Sequence, residues 1–211
     1  MQLGPPLSRA FFARPSPVVA RELIGAYLVR RLVGGVRLVG RLVEVEAYLG
    51  DGSDPASHSH KGPTRRNRSM FGPPGRLYVY RSYGIHLCAN AVCEETGRAA
   101  AVLLRALEPV EGGERMRSLR GLPPDVRARA IASGPGRLTQ AFCLALADDG
   151  RSLLSGPLSL RARPPGTRRP RVEIGPRIGI SRAVELPYRF FDPESDCVSR
   201  ASRPVRGRRA G

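Results

Sequence analysis

Residues 28–49 read LVRRLVGGVRLVGRLVEVEAYL, and this stretch decides the fold class. Two β-rich runs, 28–33 and 36–49, flank Gly34-Gly35, so the chain is expected to turn there between two strands. Within the second run, alternation puts Glu44 and Glu46 on one face and Val43 and Val45 on the other. Upstream, Ser16-Pro17 has the form of an N-cap followed by Pro at the first helical position. The run after it, VVARELIGAYLVRRL (18–32), suits a helix packed on the core. Residues 1–15 read as an N-terminal arm.

Downstream, residues 50–75 are polar and rich in Gly and Pro. Loops of that length are usually functional or disordered. RLYVYRSYGIHLCANAV (76–92) is again β-rich and aromatic, with a strand expected over 76–82. EETG at 94–97 is a turn into RAAAVLLRALEP, which predicts a hairpin with the preceding run. Two helical stretches are expected within 109–132, and a third after Ser133-Gly134-Pro135, through RLTQAFCLALA. Residues 161–171, RARPPGTRRPR, form a basic loop, and 200–211 a basic tail expected to be disordered. No internal repeat, P-loop or GxGxxG fingerprint is present.

The 211 residues suit one domain with a core that needs no disulfide or metal staple. The formal net charge of +17 points to a polyanion or an anionic surface as partner, because such an imbalance is otherwise costly in self-repulsion. Nucleic acid is the leading candidate. All basic residues but Lys61 are arginine. Schiff-base chemistry needs a lysine or terminal amine, so lyase activity is disfavoured. No apolar run approaches the roughly 20 residues that span a bilayer. The first residues carry no secretory h-region. Four cysteines without a CxxC and three histidines at no zinc-ligand spacing predict reduced, non-ligating thiols in a cytoplasmic protein.

Glu44 and Glu46 are the first chemical candidates. A carboxylate at a strand end beside a polar loop can activate water or stabilise a cationic transition state. Both could equally be structural carboxylates paired with arginine, although Glu46 stands nearer the loop. Tyr78 and Tyr80 share a strand face, and Tyr48 and Tyr83 lie close in sequence to these elements. Aromatic faces stack on bases at about 1–3 kcal/mol each. His58 is a further stacking or hydrogen-bonding candidate. Thr64 to Arg68, with Arg65, Arg66 and Arg68, suit phosphate contact. Arg105 lies in an apolar strand, where burial would demand a carboxylate partner.

EVEAYLG (44–50), ASHS (56–59), RNRSMFGPPGRLYVY (66–80), YGIHLCAN (83–90), VLLRALEP (102–109) and SGPGRLTQAF (133–142) together resemble the 3-methyladenine DNA glycosylases of the alkyladenine (methylpurine) type. The resemblance spans roughly residues 18–191. It implies an α+β fold: a single mixed domain with a curved antiparallel β-sheet flanked by helices, here a glycosylase domain over 16–199. It implies that Glu46 is the catalytic carboxylate and that Arg105 helps to hold the nucleophilic water, with backbone near Ile180 completing the water site. By the same resemblance Tyr48, His58 and Tyr80 sandwich a base extruded from duplex DNA. Asn90 crowds the exocyclic amine of guanine, and Tyr83 is the wedge that fills the gap in the stack. No metal or redox cofactor is implied. A monofunctional enzyme acting as a monomer on damaged purines in duplex DNA is expected, nucleoid-associated and not membrane-bound. Two other classes share the charge and the tyrosines: a non-catalytic nucleic-acid-binding protein and a hydrolase of free nucleosides. Convergence of Glu46 and Arg105 on one water separates the first, and dependence on duplex DNA separates the second.

Overall fold

The computed structural model describes residues 2–199, so the 200–211 tail lies outside the described residues. One antiparallel sheet, curled into a half-barrel, carries the fold. Its strands are β1 (Tyr27–Arg31), β2 (Arg37–Tyr48), β3 (Leu77–Ser82), β4 (His86–Cys93), β5 (Ala100–Glu111), β6 (Leu158–Arg161), β7 (Glu173–Gly175) and β8 (Arg189–Phe191). The order is β3-β4-β5-β2-β1-β6; β8 pairs with the second half of β2, and β7 with β8. The helices are α1 (Arg9–Phe12), α2 (Ser16–Leu23), α3 (Gly113–Leu119), α4 (Ala128–Ala132) and α5 (Pro135–Ala141). The result is a single mixed α+β domain.

The period-2 pattern of β3, β4 and β5 sorts side chains to two faces. Leu77, Val79, Ala89, Ala91, Val102 and Leu104 join Phe12, Val19, Leu23, Met116, Ile131 and Leu138 of the helices in one core. Burying each larger aliphatic side chain contributes about 1.5–3 kcal/mol. The alternate residues, among them Tyr78, Tyr80, Asn90, Leu103 and Arg105, line a cleft on the other face. β4 and β5 pair across the predicted turn at 94–97.

Several local expectations are corrected. The helix after residue 16 ends at Leu23, not at 32, because Gly25 takes a left-handed φ of 85° and the chain leaves as β1. Ser16 does not cap that helix. Pro15 holds the cap position, and the buried Ser16 hydroxyl donates to the Tyr48 carbonyl at 3.0 Å. The third helix stops at Ala141, where Cys143 adopts a φ of 51°; a single 3-10 turn over Leu146–Asp148 follows. The segment read as an arm packs on the sheet: Leu7 N–H donates to the Leu160 carbonyl, and Phe12 is fully buried.

The alternation across Val43–Val45 also breaks. Core-facing positions run Leu38 and Leu42, then Val45 and Ala47, a switch that a uniform strand cannot make. Register shifts on both sides of Glu44 explain it: Leu42 faces Leu107, Glu44 faces Ala106 and Val45 faces Leu104. Val43 and Arg105 are left without cross-strand partners, a bulge in each strand at one level. Val43 therefore packs with Ala106 and Cys197, away from Val45.

Candidate active site

The cleft has a volume of about 920 Å³. Glu46 and Glu44 sit behind its wall on β2, both fully buried. Arg105, on β5, lies between them. Its Nη1 is 3.2 Å from Glu46 Oε1, and its Nε donates to Glu44 Oε1 at 3.1 Å. Two further donors reach Glu46: the Ile178 backbone N–H to Oε1 at 2.7 Å and the Tyr48 hydroxyl to Oε2 at 2.9 Å. Arg105 Nη1 also reaches the Ile178 carbonyl at 3.4 Å. The backbone beside this cluster is thus Ile178, two residues before the expected Ile180, which itself lines the cleft.

Burial pushes the Glu46 carboxyl above the usual carboxylate range, against the opposing pull of the Arg105 guanidinium and the Ile178 N–H. Burial also raises the Tyr48 hydroxyl far up, and the Glu46 charge adds to it. The ordinary ordering therefore persists: Tyr48 donates and Glu46 accepts.

β3 supplies an aromatic wall. Tyr78 and Tyr80 stack with ring centroids 5.3 Å apart. His58 meets Tyr80 edge-on at 4.3 Å, and its Nδ1 shares a 3.0 Å hydrogen bond with the Tyr78 hydroxyl. Burial, aided by the Arg66 charge, lowers the His58 pKa and keeps the ring neutral. His58 and Tyr80 thus form one wall, while Tyr48 comes from β2 with the Arg177 guanidinium 4.7 Å over its ring. Asn90 faces Tyr78 across the strand pair, and its Nδ2 donates to the Tyr78 carbonyl at 3.1 Å.

The β3–β4 turn ends at the rim of the cleft. Tyr83 and Gly84 both take positive φ, 48° and 71°, and Ile85 N–H closes the turn on the Ser82 carbonyl. Paired positive φ values follow the twist of the flanking strands. The turn holds Tyr83 84% exposed, with its hydroxyl donating to the Gly179 carbonyl at 3.4 Å. Arg66 lines the cleft, bonded to the Arg81 carbonyl and 5.7 Å from the Tyr80 ring centre. Arg65 and Arg68 are exposed and do not line it.

A family model described as methylpurine-DNA glycosylase matches residues 10–196. A Rhodopseudomonas palustris protein named "Putative 3-methyladenine DNA glycosylase" is 50% identical over 94% of this chain and 90% of its own length. Proteins of the same name from Bradyrhizobium diazoefficiens and Methanoculleus marisnigri are 52% and 46% identical, over 90% and 92% of this chain and 88% and 98% of their own lengths. This chain belongs to the methylpurine-DNA glycosylase family. It is accordingly a DNA-repair enzyme, a hydrolase of N-glycosyl bonds. Among the described residues no helix is long and apolar enough to cross a membrane.

In this glycosylase the long 50–75 segment is ordered by two buried side chains that the sequence did not single out for that role. Asp54, fully buried, takes Arg177 in a bidentate pair at 2.6 and 2.8 Å and also accepts the Leu49 and Ala56 N–H groups. Asn67 donates to the His58 and Gly62 carbonyls and accepts from the Thr64 N–H and hydroxyl. An acid-plus-turn residue in a Gly/Pro-rich loop is a weak signal, and the partner of Asp54 lies 123 residues away.

Proposed function

We propose that this glycosylase excises alkylated purines of the 3-methyladenine kind from duplex DNA by extruding the nucleotide and hydrolysing its N-glycosidic bond with a carboxylate-activated water. The observation that carries the reading is the buried Glu46–Arg105 pair, with Ile178 backbone at its side, directly behind an aromatic cleft.

The target atom is hidden in the stack, so the nucleotide must leave it at a cost of a few kcal/mol, less where the pair is damaged. The purine then lies between Tyr48 on one side and the His58–Tyr80 wall on the other. A cationic, N-alkylated ring gains from π faces, and a neutral His58 adds no repulsion. Asn90, fixed by Tyr78, crowds the exocyclic amine of guanine. Water held by Glu46, Arg105 and the Ile178 backbone attacks C1′. The C1′–N bond breaks, its electron pair neutralises the cationic purine, and Glu46 takes the proton from water. Arg65, Arg66 and Arg68 contact backbone phosphates at the rim. In this reading the enzyme acts as a monomer, where chromosomal DNA lies.

The test is incubation with alkylated duplex DNA and chromatography of the released bases. Free 3-methyladenine is expected from duplex and not from alkylated nucleosides. Release from nucleosides alone would overturn the reading.

Two tyrosines separate extrusion from recognition. Tyr83 projects from the turn and can fill the vacated space, offsetting part of the unstacking cost. Tyr83→Ala is expected to weaken extrusion about tenfold for every lesion, and least for a poorly paired base. Tyr80→Ala is expected to reorder lesion preference, with the greatest loss for cationic purines. A fluorescent base analogue reports extrusion, and excision rates on several lesions report preference. If Tyr83→Ala reorders preference and leaves extrusion unchanged, the two roles are reversed.

A further inference from the structure

Glu44 does not line the cleft, yet it is bonded more fully than Glu46. Its Oε1 accepts from Arg105 Nε at 3.1 Å, Arg189 Nε at 2.7 Å and the Ser199 hydroxyl at 2.9 Å. Its Oε2 accepts the Ser199 backbone N–H at 2.7 Å. Arg105 Nη2 reaches the Ser199 hydroxyl at 3.3 Å, and Arg189 Nη2 reaches the Ser199 carbonyl at 3.2 Å. Arg189 itself lies over the Phe191 ring at 4.5 Å. Neither Arg189 nor Ser199 lines the cleft. Two carboxylates and two guanidiniums thus share a buried cluster, of which only the Arg105 end reaches the cleft.

A single Glu–Arg pair would already be neutral. Left to itself, an arginine takes a carboxylate bidentately and occupies both oxygens. Such an embrace would blunt Glu46 as a base. Here the Nε edge of Arg105 is committed to Glu44 and Nη2 to Ser199, so Nη1 alone is left for Glu46. The paired bulges in β2 and β5 make this possible, because Arg105 stands out of register between Glu44 and Glu46.

We propose that Glu44 is a positioning residue for the glycosylase reaction: it holds the Nε edge of Arg105 so that only Nη1 reaches Glu46, at Oε1, which keeps the guanidinium off Oε2 and leaves that oxygen, bonded only to the neutral Tyr48 hydroxyl, to act on water. The inference rests on the reading of Glu46 as the water-activating carboxylate. Its signature is a pH profile. The charged and titratable groups that face Glu46 are Glu44 and Tyr48 on β2, Tyr80 on β3, Cys88 on β4, Arg105 on β5 and Arg177 beside Ile178, with Arg189 on β8 behind Glu44. Excision needs ionised Glu46, so the rate falls as pH drops through its raised pKa. The Glu44 charge contributes to that rise. Glu44→Gln removes the charge and releases Arg105 toward Glu46, and both changes make Glu46 a weaker base. Arg189→Gln removes the cation that offsets Glu44 and acts in the opposite sense.

The experiment is the pH dependence of single-turnover excision from a duplex carrying one alkylated purine, for wild type, Glu44→Gln and Arg189→Gln. Glu44→Gln is expected to move the acid limb about one pH unit lower and to lower the plateau at least about tenfold. Arg189→Gln is expected to move the limb upward. A lowered plateau with an unmoved limb, or limbs moving together, overturns the proposal and leaves Glu44 a structural anchor. If Glu44→Gln does not fold, Arg189→Gln, whose side chain reaches the surface, decides alone: an upward shift supports the proposal and none overturns it. Wild type that releases no base, or Glu46→Gln that still does, would defeat the underlying reading instead.

Discussion

Glu46→Gln is expected to lower single-turnover excision by about a thousandfold, within the range that a positioned acid–base group contributes. The substitution is close to isosteric, and its surroundings accept it. With the amide oxygen at the Oε1 position, the Ile178 N–H and Arg105 Nη1 keep an acceptor. The amide nitrogen then faces the Tyr48 hydroxyl, which can turn and accept. Arg105 keeps an ion pair with Glu44, which it shares with Arg189, so neither guanidinium is left without a carboxylate contact. The fold should survive, and lesion binding should stay within a few-fold of wild type because the stacking walls are untouched. What is lost is the proton acceptor and the negative charge beside a sugar acquiring oxocarbenium character. Rapid-quench kinetics on a duplex with one 3-methyladenine analogue, with binding measured by anisotropy, checks this. A variant that still excises at near-wild-type rates would remove Glu46 from the mechanism.

Much of the fold can be read along the chain because it is periodic. Leu77 and Val79 against Tyr78 and Tyr80 is a two-residue alternation, and the same alternation sends one set to the core and the other to the cleft. The turn at 94–97 between two apolar runs marks the β4–β5 hairpin for the same reason. Arg105 could be suspected because a guanidinium in an apolar strand needs a carboxylate, and two carboxylates meet it. Legibility fails where periodicity is broken or contacts are distant. The bulges at Val43 and Arg105 leave no compositional mark, yet they change which residues of β2 face the core. The helix expected to run through residue 32 ends early because Gly25 permits a left-handed turn against Arg163 and Pro170. Arg189 and Ser199 join Glu44 from 145 and 155 residues away, and nothing local to either announces it.

Asp54→Asn is expected to cost about 3–5 kcal/mol, the usual consequence of breaking a buried ion pair by removing one partner. Both side chains of the Asp54–Arg177 pair are fully inaccessible, so no water can take over from the lost carboxylate. The variant leaves the Arg177 guanidinium, whose Nε already has no partner among the described residues, without its ion-pair partner. In a domain of this size each kcal/mol moves Tm by about 2–4 °C, so a fall of roughly 6–20 °C is expected. The pair also joins two parts of the site. Asp54 gathers the loop that carries His58, and Arg177 immediately precedes Ile178 while stacking on Tyr48. Excision should therefore fall together with stability, through loosened stacking and a displaced Ile178 N–H. Asp54→Ala combined with Arg177→Met should recover part of the lost stability, because a buried pair can be replaced by apolar groups more cheaply than halved. It should recover little activity, because the link between the loop and the Ile178 backbone is still cut. Urea unfolding of the three proteins, with excision rates measured well below their transitions, tests both halves. A cost under about 1 kcal/mol for Asp54→Asn would mean that water or a neighbouring group compensates Arg177, and the pair would then not be what fastens the loop to the site.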